Sequence, residues 1–165
     1  MAEHFVTPSA GIDLDATSTT KDFALGTVVC GTDSSGSYAA EYMYVTSASA
    51  VTQYAACKID NDYAITEVTN AISGTEPTAI GVPQIAMDGS STAVYGWVVV
   101  SGSGTVECAT TVTANAKVYT TATAGRVDDT ASSGDLIQGL TFVGTTTDNS
   151  NTFFAAQRMV TNAQT

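Results

Sequence analysis

The chain has 165 residues and a mass of 16.9 kDa, 44% of them hydrophobic and only 13% charged, which suits one folded domain and excludes an acidic disordered tail or a membrane protein. A formal net charge of −11, with only five Lys and Arg, repels phosphate backbones, so no nucleic-acid partner is expected. No window reaches the roughly 18 apolar residues of a membrane span, and Met1 to Ala10 lacks the basic and apolar regions of a secretory signal, so synthesis in the cytoplasm and no membrane partner are expected.

In chain order, residues 1–24 come first, with Pro8, Gly11 and many small polar residues but only scattered apolar ones. Alone they bury too little surface to offset their ordering entropy, which predicts an extended N-terminal arm. Phe5 and Val6 form an apolar pair within it and are candidates for docking onto a partner's sheet edge or groove. Residues 25–160 read as one β-rich domain and 161–165 as a flexible tail.

Within the domain, β-branched and aromatic residues recur in short runs separated by Gly, Ser, Asp and Asn. The expected strands are "GTVVC" from Gly26, "AEYMYVT" from Ala40, "YAACKI" from Tyr54, "YAITEV" from Tyr63 and "AIGVPQIA" from Ala79. They continue with "AVYGWVVV" from Ala93, "GTVECA" from Gly104, "KVYT" from Lys117, "LIQGLTFV" from Leu136 and "TFFAAQRMV" from Thr152. "DND" at Asp60–Asp62 reads as a hairpin turn, and Pro83, which removes a ladder donor, places its strand at an edge or a bulge. "SGSG" at Ser101–Gly104 reads as the turn of a core hairpin in which Trp97 and alternating valines face inward. This spacing predicts an all-β fold, a compact barrel or sandwich. No repeat of fixed period is legible, and the likeness of "GTVVC" to "GTVECA" reads as shared strand chemistry.

The search for chemistry returns no catalytic, cofactor or metal site. His4, in the expected arm, is the only histidine, which removes Ser-His-Asp and Cys-His catalysis, and no SxxK motif accompanies Lys21, Lys58 or Lys117. The acid pairs Asp13/Asp15, Asp60/Asp62 and Asp128/Asp129 are the closest approach to a glycosidase dyad, but the middle pair sits in an expected turn. "DNDY" lacks the continuation of an EF-hand, and the Gly-rich stretches lack a GK[ST] ending. Cys30, Cys57 and Cys108 are odd in number, without CxxC spacing, and read as buried apolar residues. Tyr42 and Tyr44 share one strand face, either buried or, with Tyr95, an aromatic platform for sugars.

The order "VTQYAACKID", "PTAIGVPQIA", "YGWVVVSGSGTVECA", "AKVYTTATAGRVDD", "LIQGLTFV", covering roughly Val45 to Val143, resembles the small β-rich head decoration or capsid-stabilising (cement) proteins of tailed bacteriophages, including those of β-tulip fold. The resemblance implies a non-enzymatic virion protein on the outer capsid surface, commonly a homotrimer, that locks neighbouring copies of the major capsid protein together. It implies no catalytic residue and no cofactor. The alternative is a virion fibre or surface lectin-like module binding host polysaccharide through Tyr42, Tyr44 or Tyr95.

Overall fold

The computed structural model describes residues 11–32, 39–73, 78–131 and 134–162. Among them the chain forms β1 (Val28–Thr32), β2 (Ala39–Ser47), β3 (Ala50–Val51), β4 (Cys57–Ile59), β5 (Ile65–Glu67), a helical turn α1 (Asn70–Ser73), β6 (Ala79–Pro83), β7 (Met87–Asp88), β8 (Val94–Glu107), β9 (Lys117–Thr120), β10 (Val127–Asp128), β11 (Leu136–Phe142) and β12 (Ser150–Asn162). The fold is compact and all-β, and its strand ladders are antiparallel. The two-residue strands β3, β7 and β10 and the turn α1 have no counterpart in the sequence reading, because elements so short carry no period.

The large sheet curls into two rings. In the first, β2 pairs with β8, β8 with β6, β6 with β4 and β4 with β5. A parallel bridge between Thr46 and Ala64 closes it, with Thr46 N–H donating to Tyr63 O at 3.1 Å. Five strands alternating in direction must meet once in parallel, and this bridge is that meeting. Val45, Cys57, Ile59, Ile65, Val98 and Val100 cluster inside. Position 81 must be glycine there, since a Cβ would stand 2.6 Å from Val98 Cγ2 and 3.0 Å from Ile59 Cδ1.

The second ring begins where the first ends, because β8 serves both. Its second half pairs with β12, β12 with β11, β11 with β9 and β9 with β10. Again one parallel bridge closes the circle, between Cys108 and Val127, with Ala109 N–H donating to Val127 O at 2.8 Å. Arg126 clasps the seam through a 2.8 Å ion pair to Glu107. Val106, Val118, Val127, Ile137, Phe142 and Phe153 belong to its core.

The two rings have one topology: in each, the first strand in chain order lies between the last and the third, and the fourth lies between the last and the second. Their loops match as well. Tyr54 N–H donates to Pro83 O and Asn115 N–H to Phe142 O, both at 2.9 Å, while Ala55 N–H meets Thr52 O at 3.2 Å and Ala116 N–H meets Thr113 O at 3.3 Å. The shared geometry corresponds to a shared pattern, Val51-Thr52-x-x-Ala55 and Val112-Thr113-x-x-Ala116. Register then makes Val45 equivalent to Val106, Cys57 to Val118, Ile65 to Val127 and Val98 to Phe153, and all eight side chains are buried. The chain thus builds one barrel plan twice in tandem, a repeat the sequence reading missed. The resemblance of "GTVVC" to "GTVECA" is unrelated to it, since Val28 opens an edge strand and Gly104 lies mid-β8.

The hairpin expected at Ser101–Gly104 does not form. β8 runs straight through it, with β2 on one side and β12 on the other supplying hydrogen-bond partners that keep the backbone extended. The glycines serve a bulge instead: Val100 is an extra residue between the Glu41 and Tyr42 pairings, and Gly102 takes φ +91°. The "DND" hairpin does form, between β4 and β5, but β6 is not the edge or bulged strand expected from Pro83: it pairs with β8 on one side and β4 on the other without a register shift, and the proline is accommodated as its last residue.

Of the N-terminal segment, residues 11–24 lie against the body rather than standing off as an arm. Leu14 is buried, Ser18 and Tyr95 exchange backbone hydrogen bonds of 3.0 and 2.8 Å, and Phe23 packs edge-on to Tyr44 at 5.2 Å. At the other end β12 continues past residue 160. Thr161 is fully buried and its N–H bonds Thr78 O at 2.9 Å, so residues 161 and 162 belong to the strand and not to the flexible tail expected there.

Candidate functional site

The residues with most chemical character are spent on packing. Trp97 is 2% exposed, 4.9 Å from Tyr44 and 5.3 Å from Phe23 by ring centroid, and so is an anchor of the core, though not of a hairpin. Tyr42 and Tyr44 are 1% and 3% exposed, which removes them as a sugar platform. The Tyr44 hydroxyl accepts Asp22 N–H at 3.2 Å, and only Tyr95 of the three keeps partial access. Cys57 and Cys108 are fully buried and Cys30 half-buried, all as free thiols. Burial pushes the Cys57 thiol well above its ordinary value and the Cys108 thiol up to about 11.

The acid pairs do turn work. Asp60 receives an ion pair from Lys58 at 2.9 Å, and its backbone closes the hairpin to Tyr63 and Ala64, while Asp62 Oδ1 accepts Ala64 N–H at 3.4 Å. Asp13 Oδ1 likewise accepts Asp15 N–H at 3.0 Å. Asp128 Oδ1 accepts Asp129 N–H at 2.7 Å, and Asp129 Oδ2 accepts Thr113 N–H at 2.8 Å, tying β10 to the loop before β9. Among the described residues no three His, Cys, Asp or Glu side chains gather as a metal would require. Phe5 and Val6 lie outside the described residues.

What the fold leaves open is one face of the second barrel. Directly paired residues share a face, so Lys117, Thr141, Phe154 and Ser103 form one row across β9, β11, β12 and β8, and Val143, Thr152 and Thr105 the next. Phe154 and Val143 are each 51% exposed on it. The first barrel's equivalent positions, obtained from the matched registers, are Val99 for Phe154, Trp97 for Thr152, Tyr42 for Ser103 and Tyr44 for Thr105. All four are sealed, with Phe23 packed edge-on to Tyr44 and tilted against Trp97. Nothing comparable precedes the second barrel, because the chain entering it is β8 itself.

No family model, curated protein or solved structure matches the chain. Its own two halves are therefore the comparison that informs the site. Beside the open face, a cleft of about 330 Å³ lies where the loop before β4, the end of β6, mid-β8 and the start of β12 converge. Gln84 closes its floor: Nε2 donates to Val82 O at 3.2 Å and Thr105 O at 3.1 Å, and Oε1 accepts Thr105 N–H at 2.9 Å. Gln53 Nε2 reaches over to Gln84 O at 2.8 Å.

Neither the face nor the cleft is in the sequence reading. One signal for the face was present: adjacent residues of a strand point to opposite sides, so Phe153 and Phe154 cannot both be core. Which of them faces out depends on register, which "TFFAAQRMV" alone does not fix.

Proposed function

We propose that this chain is a structural virion protein that decorates the outer surface of a tailed-phage capsid and bridges neighbouring major capsid proteins, with the outer face of its second barrel as the capsid contact. The observation that carries the reading is the exposure of Phe154 and Val143 together, on a face whose counterpart in the first barrel is sealed. Apolar side chains held rigidly on a closed barrel lose little entropy when a partner covers them, as a durable contact needs. The surrounding Thr141 and Thr152 hydroxyls keep that face soluble before binding. Closure of both rings leaves few edges to template aggregation at the concentrations that decorating a shell requires. The resemblance supplies the partner and the homotrimeric arrangement at three-fold positions, and Phe5 and Val6 add a second contact.

The test is co-sedimentation with decoration-free heads of tailed phages, beside the light-scattering mass of the free protein. Stoichiometric binding is expected, weakened at least ~30-fold by Phe154→Ser, the loss of a contact worth about 2 kcal/mol. Deleting residues 1–10 should weaken it further. Heads that bind the Phe154→Ser protein as tightly as the parent would remove this face from the contact.

A further inference from the structure

Independently of any capsid role, we infer that the cleft beside the second barrel is a binding site for one or two neutral sugar units. The floor is built and finished, since the Gln84 amide spends its donors and acceptor on the backbone of Val82 and Thr105. The walls are not: Tyr54, Thr105, Thr152 and Gln53 all line the space, and the three hydroxyls and Gln53 Oε1 make no hydrogen bond among the described residues. Hydroxyls that both donate and accept, beside a carbonyl acceptor, complement the ring of hydroxyls on a sugar. A volume of about 330 Å³ admits a mono- or disaccharide. Charge selects among sugars, for Asp15 borders the cleft and no Lys or Arg does, so an acidic sugar is disfavoured.

Tyr54 supplies the independent observation. It holds φ +69°, a conformation that a bulky side chain adopts only under constraint. Two hydrogen bonds impose it, from Tyr54 N–H to Pro83 O at 2.9 Å and from Glu107 N–H to Tyr54 O at 2.8 Å. The equivalent residue of the second barrel, Asn115 at φ +61°, is a type that tolerates this region. Where the fold asks for Asn or Gly the first barrel carries tyrosine, a residue that lines the cleft, and Gln53 where the second has Ala114. Tyr63 takes a like conformation, φ +61°, in the β4–β5 turn, so what distinguishes Tyr54 is its place at the cleft, where an aromatic face beside hydroxyls and an amide is what sugar C–H groups stack on.

Saturation-transfer NMR on the full chain with glucose, galactose, mannose and N-acetylglucosamine, and glucuronate as the anionic counterpart of glucose, tests this. At least one neutral sugar should bind saturably, and Tyr54→Asn should weaken it at least ~10-fold. Because Asn is the residue the second barrel uses, that variant should fold as well as the parent, and Gln53→Ala, at an exposed position, serves as a second probe. Absence of saturable binding by all four neutral sugars overturns the proposal. So does binding unchanged in both variants, or glucuronate binding tighter than glucose. The cleft borders the open face through Ser103, Thr105 and Thr152, but the variants here leave those residues unchanged, and Phe154→Ser reports on capsid binding separately.

Discussion

At the scale of single residues, burial and hydrogen bonding decide what each reactive group does. Cys57 and Cys108 sit at 0% exposure with thiols raised by burial, whereas Cys30 on edge strand β1 is half-buried. A thiol reagent at pH 8 should therefore label Cys30 alone in the native protein and all three cysteines after denaturation, as intact-mass spectrometry would read. The neighbouring acids Asp128 and Asp129 shift in opposite directions. Burial holds the Asp128 carboxyl above its ordinary value; burial acts on Asp129 the same way but is outweighed by hydrogen bonds from Thr113 and its neighbours, which lower it. A raised carboxyl favours the fold most in acid and loses that contribution as pH rises through its folded value. A lowered one contributes above its unfolded value and loses it as pH falls. Asp128→Asn, which keeps the acceptor for Asp129 N–H, should then raise stability at pH 7, and Asp129→Asn should lower it. Both differences should shrink in acid, with urea denaturation at two pH values as the measurement.

Elements show how far sequence carries and where it stops. β2 was legible because Tyr42, Met43, Tyr44 and Val45 alternate with a period of two, and the structure sends the tyrosines to one core cluster and Met43 and Val45 to the other. β8 was not, since Ser101–Gly104 has the composition of a turn, and only partners distant in sequence keep it extended. The structural repeat escaped for a related reason: the halves share a ring and its hydrogen bonds, but in sequence little beyond Val-Thr-x-x-Ala. Residues 11–24 read as an arm because their apolar side chains are sparse, yet Leu14 and Phe23 each meet a preformed surface, so few are enough. Leu14→Ala should cost about 2–5 kcal/mol, the range for a buried leucine. Phe23→Ala should cost less and shift Trp97 emission to the red, and because Trp97 is the only tryptophan the spectrum reports on that lid alone.

The whole molecule is governed by one strand. β8 closes the first barrel with its first half and opens the second with its last, and apolar packing is continuous across the join: Tyr42, Trp97 and Val99 outside the first barrel belong to the same apolar cluster as Val106, Phe142 and Phe153 inside the second. Neither ring can open without releasing the strand that completes the other, so a chain built as two like barrels should still unfold as one. Gly102 is where this coupling can be tested. It sits between the two halves of β8 at φ +91°, and a Cβ there would lie 2.5 Å from Ala39 O and 2.6 Å from Ala40 Cα, both backbone atoms that cannot swing aside. Gly102→Val should destabilise by about 3 kcal/mol or more, combining backbone strain with that clash. If β8 couples the barrels, scanning calorimetry should show a single transition moved to lower temperature, its calorimetric and van't Hoff enthalpies still equal. Two separated transitions, one of them at the parent temperature, would mean that the barrels fold independently and that the shared strand is only a linker between them.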